Sequence, residues 1–154
     1  MPYPDRGRPP GNQPPASIQL PTPQPVSYFE PGSKDKLRAA LVDTEAEEWA
    51  AKFKEVATSQ LRRFYEHVIT LRRRLEECPD EKRLNEFDLL RPEFKMLKAK
   101  AAYTAGRERK LAPLLQFFVN HTASVKTMDD FNAFVRHFEA IIAYHKYFEV
   151  KNAR

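Results

Sequence analysis

A single cysteine, Cys78, stands in the 154 residues, so no intramolecular disulfide can form and a cysteine-based zinc site is excluded. Only four glycines are present, and none belongs to a glycine-rich loop of the kind that cradles phosphates. Long apolar runs are missing too. No stretch approaches the roughly 18 residues of a membrane span, and the N-terminus lacks the continuous apolar segment of a signal peptide. The four histidines are His67, His121, His137 and His145, and no two have the i, i+4 spacing that sets two imidazoles on one ion. Cys78 precedes a proline and has no paired base. Asp129-Asp130 resembles a carboxylate pair but stands at a helix start, where capping and the helix dipole account for it. These absences point to a cytoplasmic chain that is no enzyme and holds neither cofactor nor metal.

Proline is unevenly distributed. Ten of the thirteen prolines and three of the four glycines lie in residues 1–33. Each proline fixes its own φ and drives the preceding residue toward extended conformations, which predicts a disordered proline-rich tail over 1–33 and a folded domain over 34–154. Within the tail, the adjacent Tyr28 and Phe29 leave two readings open: a solvated linker, or a strap docked through those aromatics.

Beyond the tail the pattern is helical throughout. Thr44 and Glu47 have capping-box spacing, ahead of an apolar face of Ala46, Trp49, Ala50 and Phe53 that reaches to about Ala57. Leu61, Phe64, Tyr65, Val68, Leu71 and Leu75 follow a 3.6-residue period, started by Thr58-Ser59 and stopped by Cys78-Pro79. A connection containing Leu84, Phe87, Leu89 and Leu90 leads to Pro92, which suits the first turn of a third helix. That helix would bury Phe94, Leu97, Ala101 and Ala105 and stop at Gly106. Pro113 opens a fourth helix, and Thr127 caps a fifth that carries Phe131, Phe134, Val135, Phe138, Ile141 and Ile142. The expectation is an all-α fold, a compact bundle of about five helices.

The formal net charge is +5, and its location matters more than its size. Residues 62–110 hold fourteen Lys or Arg against nine Asp or Glu, which accounts for all of it. Lys100, Tyr103 and Arg107 share one side of the third helix, away from its apolar stripe and with Lys98 near the margin. Arg62, Arg63 and Arg72 to Arg74 lie on the second. A tyrosine between two cations suits contact with phosphate and sugar, although solvated helix faces with local Glu partners would read the same way.

Three segments carry a family resemblance. Leu97-Lys98-Ala99-Lys100-Ala101-Ala102-Tyr103-Thr104-Ala105-Gly106-Arg107 resembles a signature of the small helical subunit of type III-A CRISPR effector complexes, the Csm particle. Thr58-Ser59-Gln60-Leu61-Arg62-Arg63-Phe64-Tyr65 resembles the start of that family's second helix, and residues 137–147 resemble its C-terminal helix. The resemblance implies a non-catalytic subunit that stacks with neighbouring small subunits beside the backbone and large subunits, lining the channel where guide RNA pairs with target RNA. Carried onto matching positions, it implies RNA contact by Arg62, Arg63, Lys98, Lys100, Tyr103, Arg107 and Lys146. Glu139, Tyr144 and His145 read better as an interhelical hydrogen-bond set or a subunit contact. A homodimer of the free protein is compatible with exposed Tyr144 and Tyr147. The competing reading is a helical protein–protein interaction module without direct RNA contact.

Overall fold

The computed structural model describes residues 18–152. The first part of the expected tail, residues 1–17, lies outside them. Five α-helices follow one another: α1 (Thr44–Lys52), α2 (Thr58–Glu77), α3 (Arg83–Arg107), α4 (Ala112–Ser124) and α5 (Met128–Asn152), with short 3-10 turns between several of them. Among the described residues the all-α expectation holds, and the one β feature is an isolated bridge between Phe29 and Leu37.

The core is aromatic. Phe53, Phe117, Phe118, Phe131, Phe134 and Phe138 are all fully buried. Phe117 sits at the centre, with Trp49 at 5.3 Å, Phe53 at 5.5 Å, Phe118 at 5.2 Å and Phe138 at 5.4 Å between ring centroids. Offset and edge-on ring pairs of this kind add to the stabilisation that burial itself provides. On α2 the buried set is Leu61, Phe64, Val68, Leu71 and Leu75, which matches the periodic stripe. The α5 cap also forms as expected: the Asp130 amide donates to Thr127 Oγ1 at 3.0 Å, and Asp130 Oδ2 accepts from the Thr127 amide at 3.1 Å.

Helix ends differ from the expectations in three places. First, α1 begins at Thr44, which supplies no side-chain cap, and ends at Lys52 rather than near Ala57. Phe53 and Val56 turn into the core there, and the carbonyls the helix leaves free accept from His145 Nε2, at 3.1 Å for Phe53 and 3.0 Å for Val56. Second, α3 begins at Arg83, so Pro92 lies inside it and not in its first turn. The two sides of the proline are gripped by one residue, since Phe131 packs against both Phe87 (6.3 Å) and Phe94 (5.5 Å). Leu84 and Leu89, expected in the connection, are helical and 69% and 60% exposed. Third, Gly106 is helical, and the positive φ of a glycine stop is found only at Gly32 among the described residues; the Glu108 amide closes α3 on Thr104.

Residues 22–31, expected within the tail, lie along α4. Tyr28 is 3% exposed, and its hydroxyl donates to His121 Nδ1 at 2.7 Å. Extended backbone cannot satisfy its own amides; here Gln24 N–H donates to Asn120 Oδ1 and Val26 N–H to Ser124 Oγ. Gln116 Nε2 in turn donates to the Thr22 carbonyl. A turn at Gly32 (φ 77°) brings the chain back so that Arg38 N–H reaches the Tyr28 carbonyl. Of the two readings of this segment, the docked strap describes residues 22–31.

Candidate nucleic-acid interface

Helices α2 and α3 run antiparallel, and the cations of both meet in the groove between them. On α2, Arg63, His67, Thr70 and Arg74 recur at i, i+4, i+7 and i+11, so they share one flank. On α3, Glu93, Met96 and Lys100 face them. The upper part of the groove, about 250 Å³, is lined by Arg63, Phe64, His67, Leu97 and Lys100. The lower part, about 360 Å³, runs past Thr70, Arg74, Glu93 and Met96.

Charge divides along this groove. At the lower end Arg74 is saturated, ion-paired with both Glu86 and Glu93 of α3. At the upper end Arg63 and Lys100 are exposed and ion-pair with no described carboxylate. Lys100 Nζ donates to His67 Nδ1 at 3.1 Å, so the imidazole is neutral and carries its proton on Nε2. Burial first, and the Lys100 charge second, lower the His67 pKa, partly opposed by Glu93. One turn further along α3, the Arg107 guanidinium lies 5.7 Å from the Tyr103 ring centroid and 3.4 Å from its hydroxyl. Tyr103 is 69% exposed. The result is an open strip of cations with an aromatic plate, suited to sugar and phosphate.

The seven expected contact residues do not all converge. Arg63 and Lys100 share the groove, and Tyr103 and Arg107 continue its edge. Arg62 points outward, about 100° round α2 from Arg63. Lys98 is half-buried and, two residues from Lys100, projects from the opposite flank of α3, about 200° round the axis. Lys146 is exposed on α5, an element that lines neither part of the groove. Sequence reasoning weighed His67 only as a metal ligand. Its position between Arg63 and Arg74 on one helical flank was the available signal.

Other polar groups serve the fold. His145 ties α5 to the end of α1, as an interhelical hydrogen bond should, while Glu139 is exposed and Tyr144 half-buried. His121 and His137 are buried side by side, with ring centroids 5.2 Å apart. His137 Nδ1 donates to the Leu41 carbonyl. Burial lowers both pKa values, that of His121 strongly. No group of three or more His, Cys, Asp or Glu among the described residues could hold a metal ion, and no described helix is long and apolar enough to cross a membrane.

A model of the Csm2 Type III-A family matches residues 36–151. No curated protein and no solved structure matches the chain.

Proposed function

Since the chain belongs to the Csm2 Type III-A family, and is thereby a small subunit of the type III-A CRISPR effector complex that associates with other Csm subunits, we propose that its α2–α3 groove holds the sugar–phosphate backbone of target and guide RNA. The observation that carries this reading is the contrast within one groove. Arg74 is neutralised by two carboxylates, whereas Arg63 and Lys100 are left without an anionic partner. Arg107 and the exposed Tyr103 extend the same strip. A surface of this kind contacts phosphates and ribose and reads no bases, so sequence is left to pairing between the two RNA strands. The subunit is non-catalytic in this reading and stacks with its neighbours along the particle. Arg62, Lys98 and Lys146, placed on other faces, would reach RNA only as such stacking brings it past them.

Fluorescence anisotropy of the full chain with labelled single-stranded RNA across a salt series tests this. Each neutralised phosphate of a single strand contributes a slope of about −0.7 in log affinity against log salt, so four contacts give roughly −3. The Lys100→Glu, Arg107→Glu double variant should lose most of the affinity while its helical circular dichroism stays unchanged. Unaltered binding by that variant, in isolation and in the reconstituted particle, would refute the site. The second reading, a protein-docking module without RNA contact, draws on the exposed Tyr147 and Val150 at the end of α5. It expects assembly, not RNA affinity, to fail when those two are replaced.

A further inference from the structure

The docked strap has a direction, and that direction fixes where residues 1–17 leave the bundle. Thr22, Gln24 and Val26 meet Gln116, Asn120 and Ser124 in turn, so the strap runs parallel to α4. Two extended residues rise about 6.6 Å and four helical residues about 6 Å. Continued at that pitch, Leu20 comes level with Ala112 and Ile18 with Glu108, at the corner between α3 and α4. That corner is cationic. Arg107, Arg109 and Lys110 stand there against the single Glu108, all four exposed. Glu108 reaches Lys110 at 3.7 Å, while Arg107 and Arg109 ion-pair with no described carboxylate.

We propose that residues 1–17 are an RNA-binding arm, which crosses the strand held on the α3 strip and grips it from the far side through Arg6 and Arg8. The arm takes its ligand from the RNA-backbone reading of the groove and rests on it. It precedes residues 36–151, the part of the chain that the family model matches. Its charged residues are Asp5, Arg6 and Arg8, and no other charge follows until Glu30. Arg6-Gly7-Arg8 sets two guanidiniums on a short glycine-jointed segment, with Tyr3 close by in sequence. Guanidinium and aromatic ring are the groups that hold single strands, by phosphate contact and by stacking. Pro9, Pro10, Pro14 and Pro15 space them from Ile18. Ten proline-rich residues at about 3.1 Å each give a reach of roughly 30 Å, against about 10 Å between Lys100 and Arg107 along α3. Charge selects the ligand. The arm keeps a net positive charge after Asp5, so the corner of Arg107, Arg109 and Lys110 repels it, and a polyanion laid between the two removes the repulsion. An acidic peptide would answer that charge alone, whereas an RNA strand also offers sugars and bases to Tyr3.

Anisotropy with single-stranded RNA over a salt series tests this on the full chain, on an arm variant (Arg6→Ala with Arg8→Ala) and on the groove variant (Lys100→Glu with Arg107→Glu). Unchanged exchange protection of the Gln24 and Val26 amides in the arm variant shows that its strap is still docked. Loss of both arginines should weaken binding roughly tenfold and make the slope of log affinity against log salt shallower by about 1.4, two phosphates at about 0.7 each. Arg6→Lys with Arg8→Lys should keep that slope, because the contact is one of charge. Affinity and slope unchanged in the arm variant overturn the arm, and a groove variant that is still weakened then leaves the groove standing. The reverse pattern, loss in the arm variant and none in the groove variant, supports the arm and refutes the groove. An arm variant that binds RNA normally but fails to join the reconstituted particle overturns the proposal in favour of an acidic protein partner. RNA held by neither the isolated chain nor the particle overturns arm and groove together.

Discussion

Lys100 donates from Nζ to His67 Nδ1 across the α2–α3 groove at 3.1 Å, which ties the charge state of an imidazole to the position of the most central cation. At neutral pH His67 is uncharged, because burial and Lys100 hold its pKa below the usual 6.5. Protonation removes the acceptor, frees Lys100 and adds a cation beside Arg63. RNA affinity should therefore rise as pH falls below about 6.5, and the salt slope should steepen by about 0.7 for the added contact. Anisotropy at pH 5.5 and 7.5 for the parent chain and for His67→Ala measures this. An equal pH response in both would place the titrating group elsewhere.

Tyr28 holds the strap by burial and by its hydrogen bond to His121 Nδ1. Tyr28→Phe keeps the ring but orphans a buried imidazole nitrogen, a loss of about 1–3 kcal/mol. Tyr28→Ala removes the ring as well and should cost about 3–5 kcal/mol, with exchange protection lost first at the Gln24 and Val26 amides. Chemical denaturation with hydrogen exchange resolves the two. The same cluster sets the acid limit of the fold. His121 and His137 both have lowered pKa values, so above pH 6.5 they are neutral folded or unfolded and stability is flat. As pH falls below 6.5 the unfolded chain takes up protons first, and stability declines through that window until the lowered folded values are reached.

Much of the architecture could be read along the chain, because periodicity in Leu61 to Leu75 and Phe131 to Ile141 is a local signal. The errors fell where tertiary contacts override local ones. Nothing in Lys52 to Ala57 breaks a helix, yet α1 ends there because Phe53 turns into the core and His145, ninety-two residues away in sequence, takes up its carbonyl. The site was half legible for the same reason. The spacing of Lys100, Tyr103 and Arg107 marks one side of a helix. Spacing cannot show that Arg63 and His67 face Lys100 across a groove, or that Arg74 is consumed by Glu86 and Glu93.

His145 therefore makes a direct prediction. Its Nε2 serves the carbonyls of Phe53 and Val56, while the side chain is 4% exposed. His145→Phe removes the donor and leaves the Val56 carbonyl unmet, while the Phe53 carbonyl keeps the Val56 amide, so it should destabilise by about 1–3 kcal/mol and loosen the α1–α2 connection. Exchange rates for amides in residues 53–58 are the measurement, and unchanged protection would mean that water meets those carbonyls just as well.

Pro92 supplies the opposite case, a position where the native residue costs stability. It lies inside α3, where its ring displaces the hydrogen bond to the Asp88 carbonyl and a helix interior is weakened by about 3 kcal/mol. The helix continues because Phe87 and Phe94 are both held on Phe131. Pro92→Ala restores the amide without touching that packing, since position 92 is exposed. Some of the gain is returned through a more flexible unfolded chain, about 0.5–1 kcal/mol. A net increase of roughly 2 kcal/mol is expected, or about 4–8 °C in Tm. A variant that loses stability would mean that the ring of Pro92 contributes more to the fold than the hydrogen bond it removes.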